Sequence, residues 1–400
     1  MAELLKQHLI DPEICIRCYT CEEMCPIDAI THNDDNVVVD ASICDYCMAC
    51  IGPCPTGSID NWRVVKTPYS LDEQFEWMEL PEQETFDDAG GADGAVEALD
   101  PAMAELLAEA HAGAGGRTRA PASAAKPTVN LFNLGNPVEA TVQGNYRLTE
   151  AGADSDVRHV VLNFGSHAFP VLEGQSIGIL PPGMDADGKP YLPRLYSVSS
   201  PRDGERPNVN NLALTVKREE HGVCSRYIAD LKKGDKVRVT GPFGATFLMP
   251  NDPAAKLVMV CTGTGSAPFR AFTMRRQRTA PDALGGLTLF FGARTPESLP
   301  YFGPLKKVPD AFLQKRFAFS RVADAPKTYV QDRIREAKEE LAPLLTDPKA
   351  HIYVCGLKAM EAGVEQAFED VARAAGLDWT AVRDAMREDG ATTSKPTRPA

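Results

Sequence analysis

A cysteine pattern that occurs twice near the N-terminus constrains this chain more than any other feature. Eight of the eleven cysteines lie between residues 15 and 54, and they form two runs of C-x2-C-x2-C-x3-C-P. Each cysteine of the second run follows its counterpart by 29 residues, and Ile30 and Ile59 keep the same offset. Two related halves of this kind predict a small module whose fold depends on what the thiolates bind.

The spacing of the cysteines favours iron–sulfur ligation over the alternatives. Three thiolates at successive steps of three residues can wrap one [4Fe–4S] cluster, while the fourth, followed by proline, points away from it. A zinc ribbon would instead use pairs of C-x2-C separated by a longer loop, with four ligands for each ion. A disulfide framework would suit a secreted chain, but the N-terminal residues show no secretory signal pattern.

Residues 1–80 therefore resemble the bacterial two-cluster ferredoxins, which store and pass single electrons. The resemblance implies that the last cysteine of each run binds the cluster of the other run. One cluster would be bound by Cys15, Cys18, Cys21 and Cys54, and the other by Cys25, Cys44, Cys47 and Cys50.

The formal net charge of −13 is unevenly distributed along the chain. Residues 1–80 carry 4 Lys/Arg and 15 Asp/Glu, whereas residues 128–400 carry 35 and 31. We therefore expect no nucleic-acid binding, and an acidic module that attracts a basic protein partner. No run of 18 apolar residues occurs, so we expect no membrane span, and without a signal pattern we expect a cytoplasmic protein.

Residues 81–127 are predicted to be a flexible linker. Half of the residues from 87 to 126 are Ala or Gly, and the segment 121–125 belongs to this flexible chain. The alternative for residues 101–110 is a short helix. A tether of this length would let the acidic module move between docking positions.

Beyond the linker, the pattern changes from short β-rich runs to alternating strands and helices. Residues 128–250 predict an antiparallel β-barrel, and residues 251–400 predict a parallel α/β domain. The fold class is thus multidomain α+β. The predicted strands are 157–161, 176–180, 211–217 and 236–240 in the barrel and 257–260, 287–291, 316–319 and 351–354 in the α/β domain, with helices beginning near Pro268, Tyr329 and Met360.

Three motifs lie at the seams of these two domains. Arg194-Leu195-Tyr196-Ser197 ends a barrel strand, where an aromatic ring can stack on an isoalloxazine and an arginine can bind phosphate. Gly222-Val223-Cys224-Ser225 opens a helix predicted over 226–232, whose free N–H groups can bind a pyrophosphate. Thr262-Gly263-Thr264-Gly265 is a glycine-rich phosphate turn between a strand and a helix.

In this order and spacing, the three motifs resemble the ferredoxin–NADP reductase family over about residues 130–380. The resemblance implies bound FAD, with Thr264 between flavin and nicotinamide and Cys355 against the nicotinamide. Tyr196, Ser197 and Cys355 would be the catalytic residues. The implied cofactor-binding residues are Arg194, Tyr196, Ser197, Thr215, Val216, Lys217, Gly222, Val223, Cys224 and Ser225 for the flavin, and Thr262, Gly263, Thr264 and Gly265 for the nucleotide.

The residues after the third and fourth α/β strands indicate the nucleotide. Ser320-Arg321 follows the third strand, where a guanidinium and a hydroxyl suit a ribose 2′-phosphate. The family resemblance implies NADPH, with Lys327 near its phosphate and Tyr329 stacked on its adenine. Gly356-Leu357 ends the fourth strand, where such sheets bind their ligands. An ordinary surface arginine at 321 is the alternative.

The chain departs from the family at two places. Plant-type members end in a tyrosine that covers the flavin, preceded by a glutamate, but here no aromatic residue follows Trp379 and no acidic residue follows Asp389. The sequence therefore does not identify the group that covers the flavin or the group that relays protons. The short loop 218–221 has no aromatic residue for the adenine of FAD, so FMN stays an alternative.

An N-terminal two-cluster ferredoxin joined to such a reductase resembles the reductase components of benzoyl-CoA oxygenases. Residues 7–12 and 55–63 carry this resemblance. It implies that electrons pass from NADPH through FAD and two [4Fe–4S] clusters to a separate di-iron oxygenase. The alternatives are an electron-input subunit of an anaerobic complex, such as a hydrogenase or bifurcating enzyme, and an interaction module with an inactive reductase half. A homodimer is one option that the residues leave open.

Overall fold

The computed structural model describes residues 5–13, 15, 17–51, 54, 58–82, 119–185, 188–207 and 209–397. Three units follow one another along the chain: an N-terminal module that carries the two cysteine runs, an antiparallel barrel and a parallel α/β domain. None of the helices in these ranges has the length and apolar character that crossing a bilayer requires.

The N-terminal module packs short elements around a core that contains thiols. Its elements are β1 (Leu5–Leu9), α1 (Thr20–Glu23), β2 (Ile30–His32), β3 (Val37–Val39), β4 (Asn61–Val65) and α2 (Leu71–Phe75). Strand β1 pairs with β4, and β2 pairs with β3, both antiparallel. The core places Cys21, Cys50 and Cys54 with Ile30 and Ile59. Because such a core is small, groups bound by the thiols would add to its stability.

The barrel is a six-stranded antiparallel sheet that closes on itself. Its elements are β5 (Val138–Arg147), β6 (Val157–Asn163), β7 (Ser176–Leu180), β8 (Arg194–Ser197), β9 (Asn211–Lys217), α3 (Val223–Asp230) and β10 (Lys236–Phe243). The strand order is β8-β7-β10-β5-β6-β9, and a bridge between Val198 and Leu214 joins the two outer strands. The predicted antiparallel barrel is confirmed.

The helix predicted over 226–232 is shifted toward the N-terminus. Gly222 has extended dihedral angles and is the N-cap, so α3 begins at Val223. At the other end Leu231 is again extended, and the helix stops at Asp230. The first free N–H groups of α3 therefore belong to the motif itself.

The α/β domain has a five-stranded parallel sheet in the order β13-β12-β11-β14-β15. The four predicted strands are confirmed; β12, β11 and β14 are central in the sheet, which accounts for their apolar character, and β13 lies at one edge. The elements are β11 (Lys256–Thr262), α4 (Ser266–Thr279), β12 (Leu287–Ala293), α5 (Phe302–Lys307), β13 (Leu313–Phe319), α6 (Val330–Glu336), α7 (Lys338–Leu341), β14 (Ala350–Leu357), α8 (Lys358–Ala374), α9 (Trp379–Glu388) and β15 (Thr392–Thr397).

Strand β15 was not predicted from the sequence. It pairs in parallel with β14, and Cys355 lies in register with Lys395. Its sequence, TTSKPT, has no apolar run and contains Pro396, which an edge strand tolerates because one side needs no ladder hydrogen bonds. The C-terminal strand thus brings a lysine to the carboxyl end of the sheet.

The last part of the predicted linker is packed against the reductase body. Ala125 is buried with Leu172 and Leu248, and the backbone N–H of Asn251 donates to the carbonyl of Ser123. The prediction of flexible chain is therefore wrong for 121–125, because small alanine side chains fit a shallow apolar surface. Residues 83–118, with the alternative helix over 101–110, lie outside the described residues.

A buried polar network joins the barrel to the α/β domain. The Tyr301 hydroxyl lies 2.8 Å from Nδ1 of His159 and 2.6 Å from the hydroxyl of Thr215. Arg270 on α4 donates two hydrogen bonds of 2.7 Å to the carboxylate of Glu205. The same carboxylate lies 3.3 Å from Nε2 of His159. These contacts hold the two domains in one orientation, with the three motifs at their seam.

Candidate functional site

Four thiols of the N-terminal module line one cavity. They are Cys25, Cys44, Cys47 and Cys50. These four are one of the two ligand sets implied by the ferredoxin resemblance. The remaining walls are largely apolar and include Ile27, Ile30, Val39 and Met48.

The other four thiols form a second group. The pKa of Cys21 is raised to about 12, first by burial and then by the neighbouring thiols of Cys54, Cys15 and Cys18. This set contains the last cysteine of the second run, as the ferredoxin resemblance implies. The two groups adjoin, because Cys50 also interacts with Cys21. Among the described side chains, no three Cys, His, Asp or Glu converge on a single metal-ion position.

Several hydrogen-bond donors face the sulfur atoms. The backbone N–H of Ala29 donates to Sγ of Cys25 at 3.2 Å, and the Thr20 hydroxyl donates to Sγ of Cys18 at 3.4 Å. Hydrogen bonds to the sulfurs and an apolar surrounding are features by which proteins set the potential of an iron–sulfur cluster. Two groups of four thiols with such donors fit [4Fe–4S] clusters.

The flavin motifs meet at the start of α3. The Tyr196 hydroxyl and the Cys224 thiol interact, and the charge of Arg194 reaches both. Burial raises the pKa of Tyr196 far above its usual range and that of Cys224 to about 11, so both groups are neutral. Cys224 also donates to the carbonyl of Ile179 at 3.5 Å. Ser197 ends β8 opposite Ser176.

The N-terminus of α3 presents backbone donors. Gly222 provides no side-chain cap, and Val223 is half exposed. The buried Ser225 hydroxyl is turned back toward the preceding loop, where it accepts from the backbone N–H of Glu219 at 3.2 Å. A helix start of this kind can bind a pyrophosphate through its free N–H groups.

The three residues predicted at the flavin edge have different surroundings. The Val216 side chain packs in the barrel core, and the Thr215 hydroxyl contacts Tyr301. Lys217 at the end of β9 is partly exposed, with Nζ 2.6 Å from a carboxylate oxygen of Glu219. Contacts of these residues with a flavin stay a prediction.

The glycine-rich turn after β11 touches the end of β14. A Cβ on Gly265 would lie 2.1 Å from the carbonyl oxygen of Cys355, and a Cβ on Gly356 would lie 2.8 Å from the hydroxyl of Thr262. Only glycines allow this approach. Gly263 has a φ of 53° and open space around its Cβ direction, so its backbone is accessible to a ligand. Thr264 lies in the same turn.

Cys355 lies buried at the carboxyl end of β14, beside Lys395, which no sequence motif indicated. Burial raises the pKa of the Cys355 thiol to about 12, so it stays protonated at neutral pH. Burial also lowers the pKa of the Lys395 ammonium to about 8. Lys395 donates to the carbonyl of Gly174 at 2.8 Å, which ties the C-terminal strand to the barrel. Leu357, at the end of β14, is exposed.

The predicted 2′-phosphate residues lie together after β13. Ser320 and Arg321 directly follow the strand, and Lys327 and Tyr329 belong to the exposed loop that leads into α6. The backbone N–H of Arg321 donates to the carbonyl of Arg294 at 2.8 Å.

Arg294 is a further basic residue at this place. It directly follows the neighbouring strand β12 and binds the carboxylate of Asp154 at 2.6 Å, and the charge of Arg321 reaches the same carboxylate. A basic residue three positions after the end of the predicted strand 287–291 was the sequence signal that could have found it. Two guanidinium groups that share one anion here suit a phosphate.

Three family models match the chain. An oxidoreductase FAD-binding domain matches residues 153–247, an oxidoreductase NAD-binding domain matches 259–366, and a 4Fe-4S binding domain matches 8–31. The ferredoxin–NADP reductase of the Cyanophora paradoxa cyanelle is 40% identical over 280 residues, which are 65% of this chain and 77% of that protein. The ferredoxin–NADP reductase of Synechocystis sp. is 38% identical over 280 residues, 65% of this chain and 68% of that protein.

Solved structures share the fold of the reductase body. The ferredoxin–NADP⁺ reductase from Plasmodium falciparum covers 68% of this chain and all of its own, with a TM-score of 0.55 and 24% identity. The same enzyme with 2′P-AMP covers 61% of this chain and 96% of its own, with a TM-score of 0.51 and 26% identity.

Proposed function

The chain belongs to the ferredoxin–NADP reductase family, and from this premise we propose that it passes electrons from NADPH through bound FAD and two [4Fe–4S] clusters to a separate oxygenase. The grouping of eight thiols into two sets of four, in a module attached to an NADP-dependent flavin reductase body, is the observation that carries the proposal. Bound FAD supplies the step between two-electron and one-electron chemistry.

The residues at the barrel seam fit a flavin. Tyr196 and Arg194 would hold the ring system and a phosphate, and the free N–H groups after Gly222 would hold the pyrophosphate. The neutral Cys224 thiol belongs to the barrel core against which Tyr196 packs. In the α/β domain, the turn from Thr262 to Gly265 would bind the nucleotide backbone.

The basic residues after β12 and β13 would select NADPH over NADH. Arg321 and Arg294 would share the ribose 2′-phosphate, and Tyr329 would stack on the adenine. The reductase bound to 2′P-AMP in the related solved structure carries the same 2′-phosphate group in its ligand. Asp154 holds Arg294 in place before the phosphate arrives.

We infer that the electron acceptor is a di-iron oxygenase that epoxidises benzoyl-CoA. The runs 7–12 and 55–63 support this identity, because they resemble the reductase component of that system. The N-terminal module would form the docking surface, since it exposes a set of carboxylates to solvent. These are Glu23, Asp28, Asp34, Asp35 and Asp45.

A truncated chain would test this order of electron transfer. Deleting residues 1–118, rather than 1–127, keeps the alanines that pack against the reductase body. We expect the truncated protein to reduce ferricyanide with NADPH at nearly the rate of the full chain, but to lose NADPH-dependent epoxidation of benzoyl-CoA by the oxygenase. Iron and acid-labile sulfide should amount to eight of each in the full chain and none in the truncated chain.

Two results would overturn the proposal. Stoichiometric zinc in place of iron would remove the electron-transfer role of the module. Full support of the oxygenase by the truncated chain would show that the flavin delivers electrons directly.

Rising salt should slow electron delivery by the full chain to the oxygenase, because exposed charges are screened over about 8–10 Å at physiological ionic strength.

A further inference from the structure

A lysine of the C-terminal strand lies beside the nucleotide motifs of the α/β domain. Lys395 is in register with Cys355 on the adjacent parallel strand, so both side chains lie on the same face of the sheet, with the strands about 4.8 Å apart. A Cβ on Gly265 would lie 2.1 Å from the carbonyl oxygen of Cys355, so the glycine-rich turn contacts that cysteine as well. Cys355 thus lies between the lysine and the turn that would bind the nucleotide.

The ammonium group of the same lysine reaches the barrel. Nζ of Lys395 donates to the carbonyl of Gly174 at 2.8 Å. Gly174 lies two residues before Ser176, which pairs with Ser197 of the flavin motif across β7 and β8. Lys395 therefore lies at the seam where a flavin bound by the barrel and a nicotinamide bound by the sheet would meet.

The positive charge of Lys395 is not neutralised by a bound carboxylate. Among the described residues, no carboxylate forms an ion pair with it, and Nζ instead lies 5.8 Å from the centroid of the Phe247 ring. Glu361 at the start of α8 also acts on Cys355, but its side chain hydrogen-bonds with Ser394. Burial lowers the pKa of the Lys395 ammonium to about 8, so most of it is charged at pH 7. The seam thus contains a fixed cation whose field acts on any charge bound nearby.

We propose that Lys395 is a specificity-determining residue that disfavours NADP⁺ relative to NADPH, because its positive charge repels the oxidised nicotinamide ring. The inference rests on the proposed function, with the nicotinamide ring at Cys355 as the family resemblance implies. NADPH has a neutral dihydronicotinamide ring, and loss of a hydride, which is two electrons with one proton, leaves that ring with one positive charge. The fixed cation therefore repels the product ring but not the substrate ring. This repulsion promotes release of NADP⁺ and favours electron flow from NADPH toward the clusters.

The test is a calorimetric titration of the oxidised full-length holoprotein with two nucleotides that leave the flavin unreduced. NADP⁺ carries the ring charge, whereas tetrahydro-NADP has a neutral ring that donates no hydride. The wild type should bind tetrahydro-NADP about tenfold more tightly than NADP⁺. Lys395→Met should tighten NADP⁺ binding by about tenfold and leave the affinity for tetrahydro-NADP unchanged. Lys395→Arg, which keeps the charge, should retain the wild-type preference.

Lys256→Met is the matched control. It removes one positive charge from the amino end of β11 in the same sheet, where Lys256 pairs with Asp347, and it should keep the wild-type preference. A third ligand, 2′P-AMP, has no nicotinamide, so its affinity should be the same in the wild type and every variant. If Lys395→Met loses FAD, Lys395→Gln keeps a donor for the carbonyl of Gly174, and the same tightening of NADP⁺ binding is expected.

The inference and the proposed function fail in different ways. Equal affinities of the wild type for NADP⁺ and tetrahydro-NADP would overturn the inference alone. So would an unchanged preference in a Met or Gln variant that still binds 2′P-AMP. A wild-type chain that contains no flavin, or that does not bind 2′P-AMP, would instead overturn the proposed function.

Discussion

Replacing Glu205 by glutamine tests whether the polar network between the two reductase domains stabilises the protein. Its carboxylate accepts two hydrogen bonds from Arg270 and one from His159. Burial by itself would raise the pKa of Glu205, but the hydrogen bonds and charges of His159 and Arg270 outweigh burial and lower this pKa to about 2. The folded protein thus stabilises the ionised form of this carboxylate more than the neutral form.

The expected loss follows from the difference between the folded and unfolded pKa. A fall from the ordinary value of 4.5 to about 2 corresponds to about 3 kcal/mol of unfolding free energy at pH 7. Because the folded pKa is the lower one, this stabilisation is complete above the unfolded pKa. It declines as the pH falls through 4.5 toward 2, and about 2 kcal/mol would remain at pH 3.5.

Urea unfolding of the full chain, followed by circular dichroism at pH 7 and pH 3.5, measures both values. Glu205→Gln should lower the free energy of unfolding by about 3 kcal/mol at pH 7 and by less at pH 3.5. Glu369→Gln is the control, because Glu369 pairs with exposed Arg373 and an exposed pair contributes less than about 1 kcal/mol. A Glu205→Gln loss as small as that of the control, or one that does not depend on pH, would refute the reasoning.

Two further substitutions test the nucleotide site. Arg321→Ala should raise the KM for NADPH by about 10- to 150-fold, because it removes a charge-assisted contact of about 1.5–3 kcal/mol. The KM for NADH should stay nearly unchanged. Equal effects on both KM values would show that the 2′-phosphate binds elsewhere. Gly265→Ala should weaken NADPH binding and lower the thermal midpoint, since its Cβ would lie 2.1 Å from the Cys355 carbonyl and overpacking costs about 1–3 kcal/mol. Gly303→Ala, whose Cβ meets open space, is its control, and equal midpoints for the two alanine variants would argue against the close approach.

The three units and their kinds of secondary structure could be predicted because their signals are local. The cysteine runs repeat within 40 residues, and the barrel and α/β strands differ in spacing and in their neighbouring helices. The strand 211–217 was predicted with its observed bounds, because an apolar run between turn residues identifies a strand without knowledge of its partners. The helix at Val223 was displaced by a few residues, since caps depend on dihedral angles that the residue types do not determine.

Strand β15 is an element that local sequence patterns do not predict. Its residues are mostly polar and include a proline, and only pairing with β14 makes them a strand. That pairing brings Lys395 next to Cys355, 40 residues earlier in the chain. The family resemblance implied the cysteine at this place but not the lysine. The pairing depends on the free edge of a finished sheet, which exists only after the domain has folded.

The sequence by itself determined the ligand types, the order of the domains and the motifs at their seams. The tertiary structure decided which distant residues meet, such as His159 with Tyr301 and Arg294 with Asp154. Residue types and short spacings encode what a segment can bind, because those properties depend on a few neighbouring side chains. Contacts between residues more than a hundred positions apart depend on how whole surfaces pack, and no short pattern in the chain records that packing.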